Sequence, residues 1–404
     1  MGGSAPLSPQ IVSTMAPPVM EARRWIDGVT FPPERPLINL SQAAPVDPPP
    51  EPMRAAMAEM VLSDPTAHLY GPVLGLPALR ETLAARWAGE YGGEVSWENV
   101  GITSGCNEAF TAILATLAGP GDAIILPTPW YFNHKMALDM AGVTAVPLPT
   151  GPGLIPDPEA AAALIDATTR AIVLVTPNNP GGAEYPADVI AAFRDLARAR
   201  GLALIIDETY RDFHSQPGAP HALFDDPAWD DVVIHLYSFS KAYRLTGHRV
   251  GAIVAAPARL AQVEKYLDTV TICAPQLGQR AALWGMQNLR QWLAGERDEI
   301  LARRAAVEAG FPALDGWELL GCGAYFAYVR HPFDIPSHKL APTLVHEAGL
   351  LMLPGTMFRP ESDRAGQHEL RIAFANSDAH GIATLFERLR SLDPSRLAAQ
   401  IDVT

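Results

Sequence analysis

Four short apolar runs limit what this chain can fold into: Gly121–Pro127, Ala171–Thr176, Leu202–Ile206 and Val232–Leu236. Their centres are aliphatic and largely β-branched, without apolar/polar alternation. Each therefore reads as a strand buried on both faces, which is the position of strands in a parallel sheet covered by helices. Helical patterns fill the intervals and flanks, at Glu51–Leu62, Leu76–Trp87, Ala109–Leu117, Pro186–Arg200, Pro257–Ile272, Leu277–Leu293 and Gln291–Val307. Strands alternating with helices predict an α/β fold with a mostly parallel sheet. In such sheets ligands bind outside the carboxyl ends of the strands. Those ends carry Thr128-Pro129-Trp130-Tyr131, Pro177-Asn178-Asn179-Pro180, Asp207-Glu208-Thr209-Tyr210 and Tyr237-Ser238-Phe239-Ser240-Lys241.

Composition removes several function classes. A formal net charge of −14 over 404 residues argues against nucleic acid and anionic membrane surfaces as partners. No apolar run reaches the length of a membrane span. The start, Met1-Gly2-Gly3-Ser4-Ala5-Pro6, lacks the basic and apolar blocks of a signal peptide. Cys106, Cys273 and Cys322 are too few and too scattered for a disulfide framework or a zinc site. The expectation is a cytoplasmic enzyme that holds no metal. No Gly-x-Gly-x-x-Gly follows the first strands, which argues against a dinucleotide oxidoreductase.

Lysine is scarce, at positions 135, 241, 265 and 339 only. Lys241 stands among small and aromatic residues at a strand end. A desolvated amine there has a lowered pKa and can form a Schiff base with a carbonyl. The bland alternative is a snorkelling surface lysine. Ser238 and Arg249 flank it, and a hydroxyl with a guanidinium suits a phosphate. The pattern Ser238-x-Ser240-Lys241, then Gly247-x-Arg249-x-Gly251, resembles the lysine region of the fold-type I, class I/II pyridoxal-phosphate aminotransferases. In that family the lysine carries the coenzyme, and the serine three before it and the arginine eight after it bind the phosphate.

The resemblance extends in order from about residue 37 to 390. Ser104-Gly105-Cys106 opens a helix, where free N–H groups can meet an anion; it matches the family's phosphate turn, with Cys106 in place of the usual small or hydroxyl residue. Alone, it reads equally as a helix cap. Tyr131 falls where the family stacks an aromatic on the coenzyme, with Trp130 as second choice; an aromatic core corner is the alternative. Asn179-Pro180 matches the family's Asn-Pro, whose asparagine binds the coenzyme's 3-oxygen and assists with the substrate carboxylate, although Gly181 replaces threonine. Asp207 follows five apolar residues, where an unpaired carboxylate is costly. A protonated pyridine nitrogen is a suitable partner, and Asp207 with Tyr210 matches the family's Asp-x-x-Tyr. Glu208 reads as a solvated or salt-bridged neighbour. Arg371, in the alternating stretch Glu369–Ala375, matches the arginine that forks onto the substrate α-carboxylate. Ala43 stands where the family has a glycine whose backbone approaches that carboxylate. Tyr70 matches a tyrosine that reaches the phosphate of the neighbouring subunit.

The resemblance implies a seven-stranded-type, mostly parallel sheet between helices in a large domain (46–285). It also implies a smaller α+β domain (37–45 and 286–404) and an N-terminal arm (1–36). Short strands are expected there at Trp317–Leu320, Ala324–Val329 and Val345–Leu351. The implied activity is transfer of an amino group from an L-amino acid to a 2-oxo acid by a ping-pong route in a homodimer, with Lys241 as Schiff-base lysine and proton shuttle. A C–S β-lyase or decarboxylase on the same scaffold, or a non-catalytic pyridoxal-phosphate effector module, are the rival readings. The substrate side chain is not legible; Ala43, Trp130, His134, Arg244 and Phe358 lie on the loops that would set it. A dicarboxylic substrate would want a second arginine, for which Arg244 and Arg359 are candidates.

Overall fold

A computed structural model describes residues 5–401. Residues 1–4 of the expected arm lie outside the described residues. The strands run, in chain order, Ile38–Asn39 (β1), Val100–Thr103 (β2), Ala123–Thr128 (β3), Thr144–Pro149 (β4), Thr169–Val175 (β5), Ala203–Asp207 (β6), Val233–Ser238 (β7), Gly251–Val254 (β8), Glu318–Gly323 (β9), Phe326–Arg330 (β10), Leu350–Leu351 (β11), Leu353–Pro354 (β12) and Glu369–Ile372 (β13). Seven of them form one sheet in the order β2-β8-β7-β6-β5-β3-β4. It is parallel except for β8, which runs antiparallel to both β2 and β7. Every residue of β2, β3, β6, β7 and β8 is buried, as continuous apolar runs require. Successive residues serve opposite layers. Ile124, Val173, Ile205 and Ile234 pack with Phe110, Ile113 and Val263, whereas Ile125, Ile172, Ile206 and Tyr237 pack with Leu83, Trp87, Ile190 and Phe193.

Two strands of this sheet have weak sequence signals. Thr144-Ala145-Val146-Pro147-Leu148-Pro149 carries two prolines, which read as loop. It forms an edge strand, paired only to β3, where a missing N–H costs no ladder bond. Gly251–Val254 is short and follows β7 only after the helical turn Phe239–Ala242 and the 3-10 turn Thr246–His248.

A second, antiparallel sheet has the order β12-β13-β10-β9, and β1 pairs with β11 beside it. Its core joins Leu40, Val307, Phe311, Leu344, Leu370, Ile382 and Phe386. The 21-residue helix Arg290–Gly310 leads into this region, starting just after Gln276–Asn288 ends. The expected strand over Val345–Leu351 is mostly wrong. Ser337–Ala348 is a helix, with Leu340, Ala341, Leu344, Val345 and Ala348 buried at helical spacing. Gly349, at φ 62°, stops it, and only Leu350–Leu351 is extended. Likewise β13 stops at Ile372, and Phe374–Asn376 turns into a single 3-10 turn. In the N-terminal segment, helix Pro18–Arg24 folds against this same chain, with Ala22 fully buried.

Candidate active site

The carboxyl ends of β5, β6 and β7 lie side by side, with Val175 opposite Asp207 and Asp207 opposite Leu236. A cavity of about 320 Å³ opens there. It is walled by Ala43, Cys106, Tyr131, Asn179, Asp207, Tyr210, Ser238, Lys241, Arg249 and Arg371, residues drawn from positions 43 to 371 of the chain.

The lysine comes first in the construction. β7 ends at Ser238, whose hydroxyl accepts the Ser240 amide at 3.2 Å and starts the one-turn helix Phe239–Ala242. That turn points Lys241 into the cavity, where Nζ donates to the Ala43 carbonyl at 2.5 Å and lies 6.0 Å from the centre of the Tyr210 ring. Burial, with the positive charges of Arg249 and Arg371, lowers the amine to about 8. Arg249 reaches back to the Ser240 hydroxyl at 3.4 Å and the Thr246 carbonyl at 3.1 Å. Its guanidinium rests against Gly105, where a Cβ would collide with it; Gly105 also has φ +92°, so glycine is required on both counts. Ser104 and Gly105 are not part of the wall; Cys106, first residue of helix Cys106–Leu117, is.

Asp207 is buried. Burial alone would raise its carboxyl, but His134 (Nε2 at 3.3 Å) and the Thr209 amide (3.0 Å) hold it below the ordinary carboxylate value. His134 was expected near the pocket loops; it stands behind the wall, stacked on Phe110 at 3.9 Å. Tyr131 places its hydroxyl between two amides, accepting from Asn133 Nδ2 at 2.8 Å and donating to Asn107 Oδ1 at 3.3 Å. Burial raises both the Tyr131 and Tyr210 hydroxyls above the usual phenol value. Trp130 is buried outside the wall.

Arg371 is 2% exposed. Nη1 donates to Asn179 Oδ1 at 3.0 Å and Nη2 to the Ser41 carbonyl, while Nε is unpartnered. The rings of Phe326, Phe358 and Phe132 surround it at 5.0–5.9 Å. Burial without an acidic partner pulls it down to about 10.

Tyr70 is 80% exposed, beside Cys273 and outside this chain's own cavity. The two candidate second arginines are not free. Arg244 is bonded twice to Glu296, at 2.9 Å each, and Arg359 is bonded to Glu369 and Asp363. Glu208, read as a solvated or salt-bridged neighbour, is wholly buried on the face opposite Asp207 and paired with His235, so the paired alternative holds. Asn133, which with His134 follows Tyr131 and was expected to line the pocket, does line it, whereas Val19, Gln42 and Asn107 line it without having been expected there. Asn133 had a visible signal, two residues after Tyr131; Val19 had none, because its approach depends on how the N-terminal helix folds back.

An amine depressed toward neutrality, a buried anionic carboxylate and two guanidiniums around one cavity suit amine chemistry on an anionic ligand. The family profile described as aminotransferase class I and II matches residues 35–389. The chain is 31% identical to the valine–pyruvate aminotransferase of Mycobacterium tuberculosis, over 89% of this chain and 92% of that one. It is 28% identical to the aromatic aminotransferase ISS1 of Arabidopsis thaliana, over 88% and 89%. Its fold superposes on the N-succinyldiaminopimelate aminotransferase structure from Mycobacterium tuberculosis with TM-score 0.87, 24% identity and 96% and 100% coverage. The chain belongs to the class I and II aminotransferase family and is a transaminase.

Proposed function

We propose that the cavity binds pyridoxal 5′-phosphate and that the chain moves an amino group from an L-amino acid to a 2-oxo acid in two half-reactions, as a cytoplasmic homodimer. The observation that carries this reading is the convergence of Lys241, Asp207, Arg249 and Arg371 on one cavity. The donor set suits the coenzyme. Arg249, Ser238 and the N–H groups opening helix Cys106–Leu117 suit its phosphate. Asp207, kept anionic by His134 and Thr209, suits its ring nitrogen; Tyr131 suits the ring face, and Asn179 with Tyr210 the 3-oxygen.

When bound, the coenzyme supplies an aldehyde for amine exchange and an electron-accepting ring. The chain's own residues do the rest. Arg371, assisted by Asn179, grips the substrate α-carboxylate by its two-pronged geometry. Lys241, with an amine near 8, gives and takes the proton at the α-carbon close to physiological pH. The phenyl rings around Arg371 keep water from the ion pair and strengthen it. The dimer is supported by the exposure of Tyr70 and Leu69 side by side on the surface, which suits Tyr70 for reaching a neighbouring subunit. The three free, scattered cysteines fit a reducing compartment.

The test is a spectrum of the coenzyme-loaded protein with L-amino acids and no 2-oxo acid. Loss of the visible band with stoichiometric 2-oxo acid release is expected, and Lys241→Ala is expected to slow it by about 10⁴-fold or more. A protein that binds no coenzyme, or one that releases ammonia with pyruvate, would refute the reading.

A further inference from the structure

The charges on the cavity wall restrict the substrate's side chain. Among the described residues the wall carries three cations, Lys241, Arg249 and Arg371, and one carboxylate, Asp207. In the transaminase reading all four are committed: Arg249 to the phosphate, Asp207 to the ring nitrogen, Lys241 to the reacting centre and Arg371 to the α-carboxylate. What remains of the wall for a side chain is Val19, Gln42, Ala44, Asn107, Phe132 and Asn133, none of them charged.

Two other arginines near this site, Arg244 and Arg359, are engaged elsewhere. Arg244 is held by Glu296 at 2.9 Å and by Asp47 at 3.3 Å, with its guanidinium over the Trp292 ring. Arg359 is held by Glu369 at 2.6 Å and Asp363 at 2.8 Å. Freeing either would strand a partly or fully buried carboxylate. Arg23 touches the mouth only through Gln42, donating to its Oε1 at 2.9 Å from the exposed side of the helix that carries Val19. The amides of Asn107 and Asn133 are both turned to the Tyr131 hydroxyl. Phe132, 5.9 Å from the Arg371 guanidinium, lays an apolar surface beside the carboxylate anchor.

A second carboxylate would therefore find no uncommitted cation among the described wall residues of this chain. A guanidinium or ammonium would find no acid of its own and would face three positive groups. Burying an unpaired charge is among the costliest things a site can do. We propose that this site takes amino acids and 2-oxo acids whose side chains are uncharged, aliphatic or aromatic. The proposal rests on the transaminase reading of the same cavity and names its substrate class.

The experiment uses the coenzyme-loaded full chain in single half-reactions, reading the released 2-oxo acid by mass spectrometry. L-leucine, L-methionine and L-phenylalanine are compared with L-aspartate, L-glutamate, L-arginine and L-lysine. The acceptors pyruvate and phenylpyruvate are compared with oxaloacetate and 2-oxoglutarate. The best uncharged substrate is expected to exceed every charged one by at least about tenfold in kcat/KM, the factor that about 1.4 kcal/mol gives. A charged donor or acceptor that equals the best uncharged one overturns the class while leaving transamination intact. Release of no 2-oxo acid from any donor removes both readings. Two variants sharpen the result. Val19→Lys is expected to raise the aspartate-to-leucine ratio about tenfold, and an unchanged ratio overturns the assignment of Val19 to the side-chain wall. If aspartate is turned over well and Arg23→Ala abolishes it, Arg23 is the side-chain cation and the proposal falls.

Discussion

Asp207 and Glu208 are adjacent carboxylates, both buried, and they do opposite things. Strand alternation sends them to opposite faces of the sheet. Asp207 faces the cavity, supported by His134 and Thr209 and walling open space. Glu208 faces a closed polar cluster. Its Oε2 accepts from the Tyr91 hydroxyl and from His235 Nε2 at 2.8 Å, and Arg211 Nε donates to Tyr91 at 2.6 Å. His221 Nε2 stands 3.5 Å from Oε1, and its Nδ1 accepts the Leu223 amide. That acceptance leaves the proton on Nε2, which makes no hydrogen bond to Oε1, so the network joins Glu208 to Tyr91, His235 and Arg211 with His221 packed beside it. Burial would raise Glu208, but His221, His235 and Arg211 hold it at about 2. The difference teaches that a buried carboxylate held by side chains in a closed cluster is structural, whereas one left facing a cavity is available for chemistry.

That contrast can be broken at either end. Asp207→Asn keeps the hydrogen bond from the Thr209 amide but removes the charge. Turnover is expected to fall by about 10³-fold, roughly 4 kcal/mol of barrier, with unfolding free energy within about 1 kcal/mol of the parent; steady-state kinetics and urea titration read the two quantities. Glu208→Ala should invert the pattern. It strands Tyr91 and His235, so a stability loss of about 3–5 kcal/mol is expected, while the folded fraction keeps kcat within a few fold. A Glu208→Ala protein that is stable but inactive would erase the distinction.

The smallest effect concerns pH. Burial pushes His221 down to about 4 from its ordinary 6.5. Between those values the unfolded chain binds a proton that the folded chain does not. Stability is therefore full above pH 6.5 and falls as pH drops toward 4, at up to about 1.4 kcal/mol per pH unit for this group. His221→Gln is expected to flatten that slope. His331, also lowered to about 4 by burial, leaves a residue of it. An identical slope in the variant would show that His221 is not the group being protonated.

Much of the site was legible because its chemistry sits at the ends of runs that burial makes conspicuous. Asp207 ends β6 with Tyr210 just after it, and Ser238 ends β7 with Lys241 and Arg249 after it, so a local pattern placed them. The seven-stranded sheet was legible for the same reason, except at β4 and β8, where prolines at an edge and a short antiparallel strand gave little periodic signal. Val345–Leu351 misled because apolar residues dense enough for a buried helix resemble a strand over so short a window. His134 was seen as a residue but its role was not. Stacking on Phe110 against Asp207 depends on how helix Phe132–Ala141 packs on helix Cys106–Leu117.

The sequence by itself determined which groups stand at strand ends, in what order, and that those strands are buried on both faces. These are properties of short spans, settled by hydrophobicity and spacing. The tertiary structure alone decided which cations are free. Arg244 is neutralised by Glu296, 52 residues away, and Arg359 by Glu369. Arg371 meets only neutral groups, the Ser41 carbonyl 330 residues back and Asn179. Ion pairing acts through space at a few ångströms, so a list of arginines carries no record of which one has its acid.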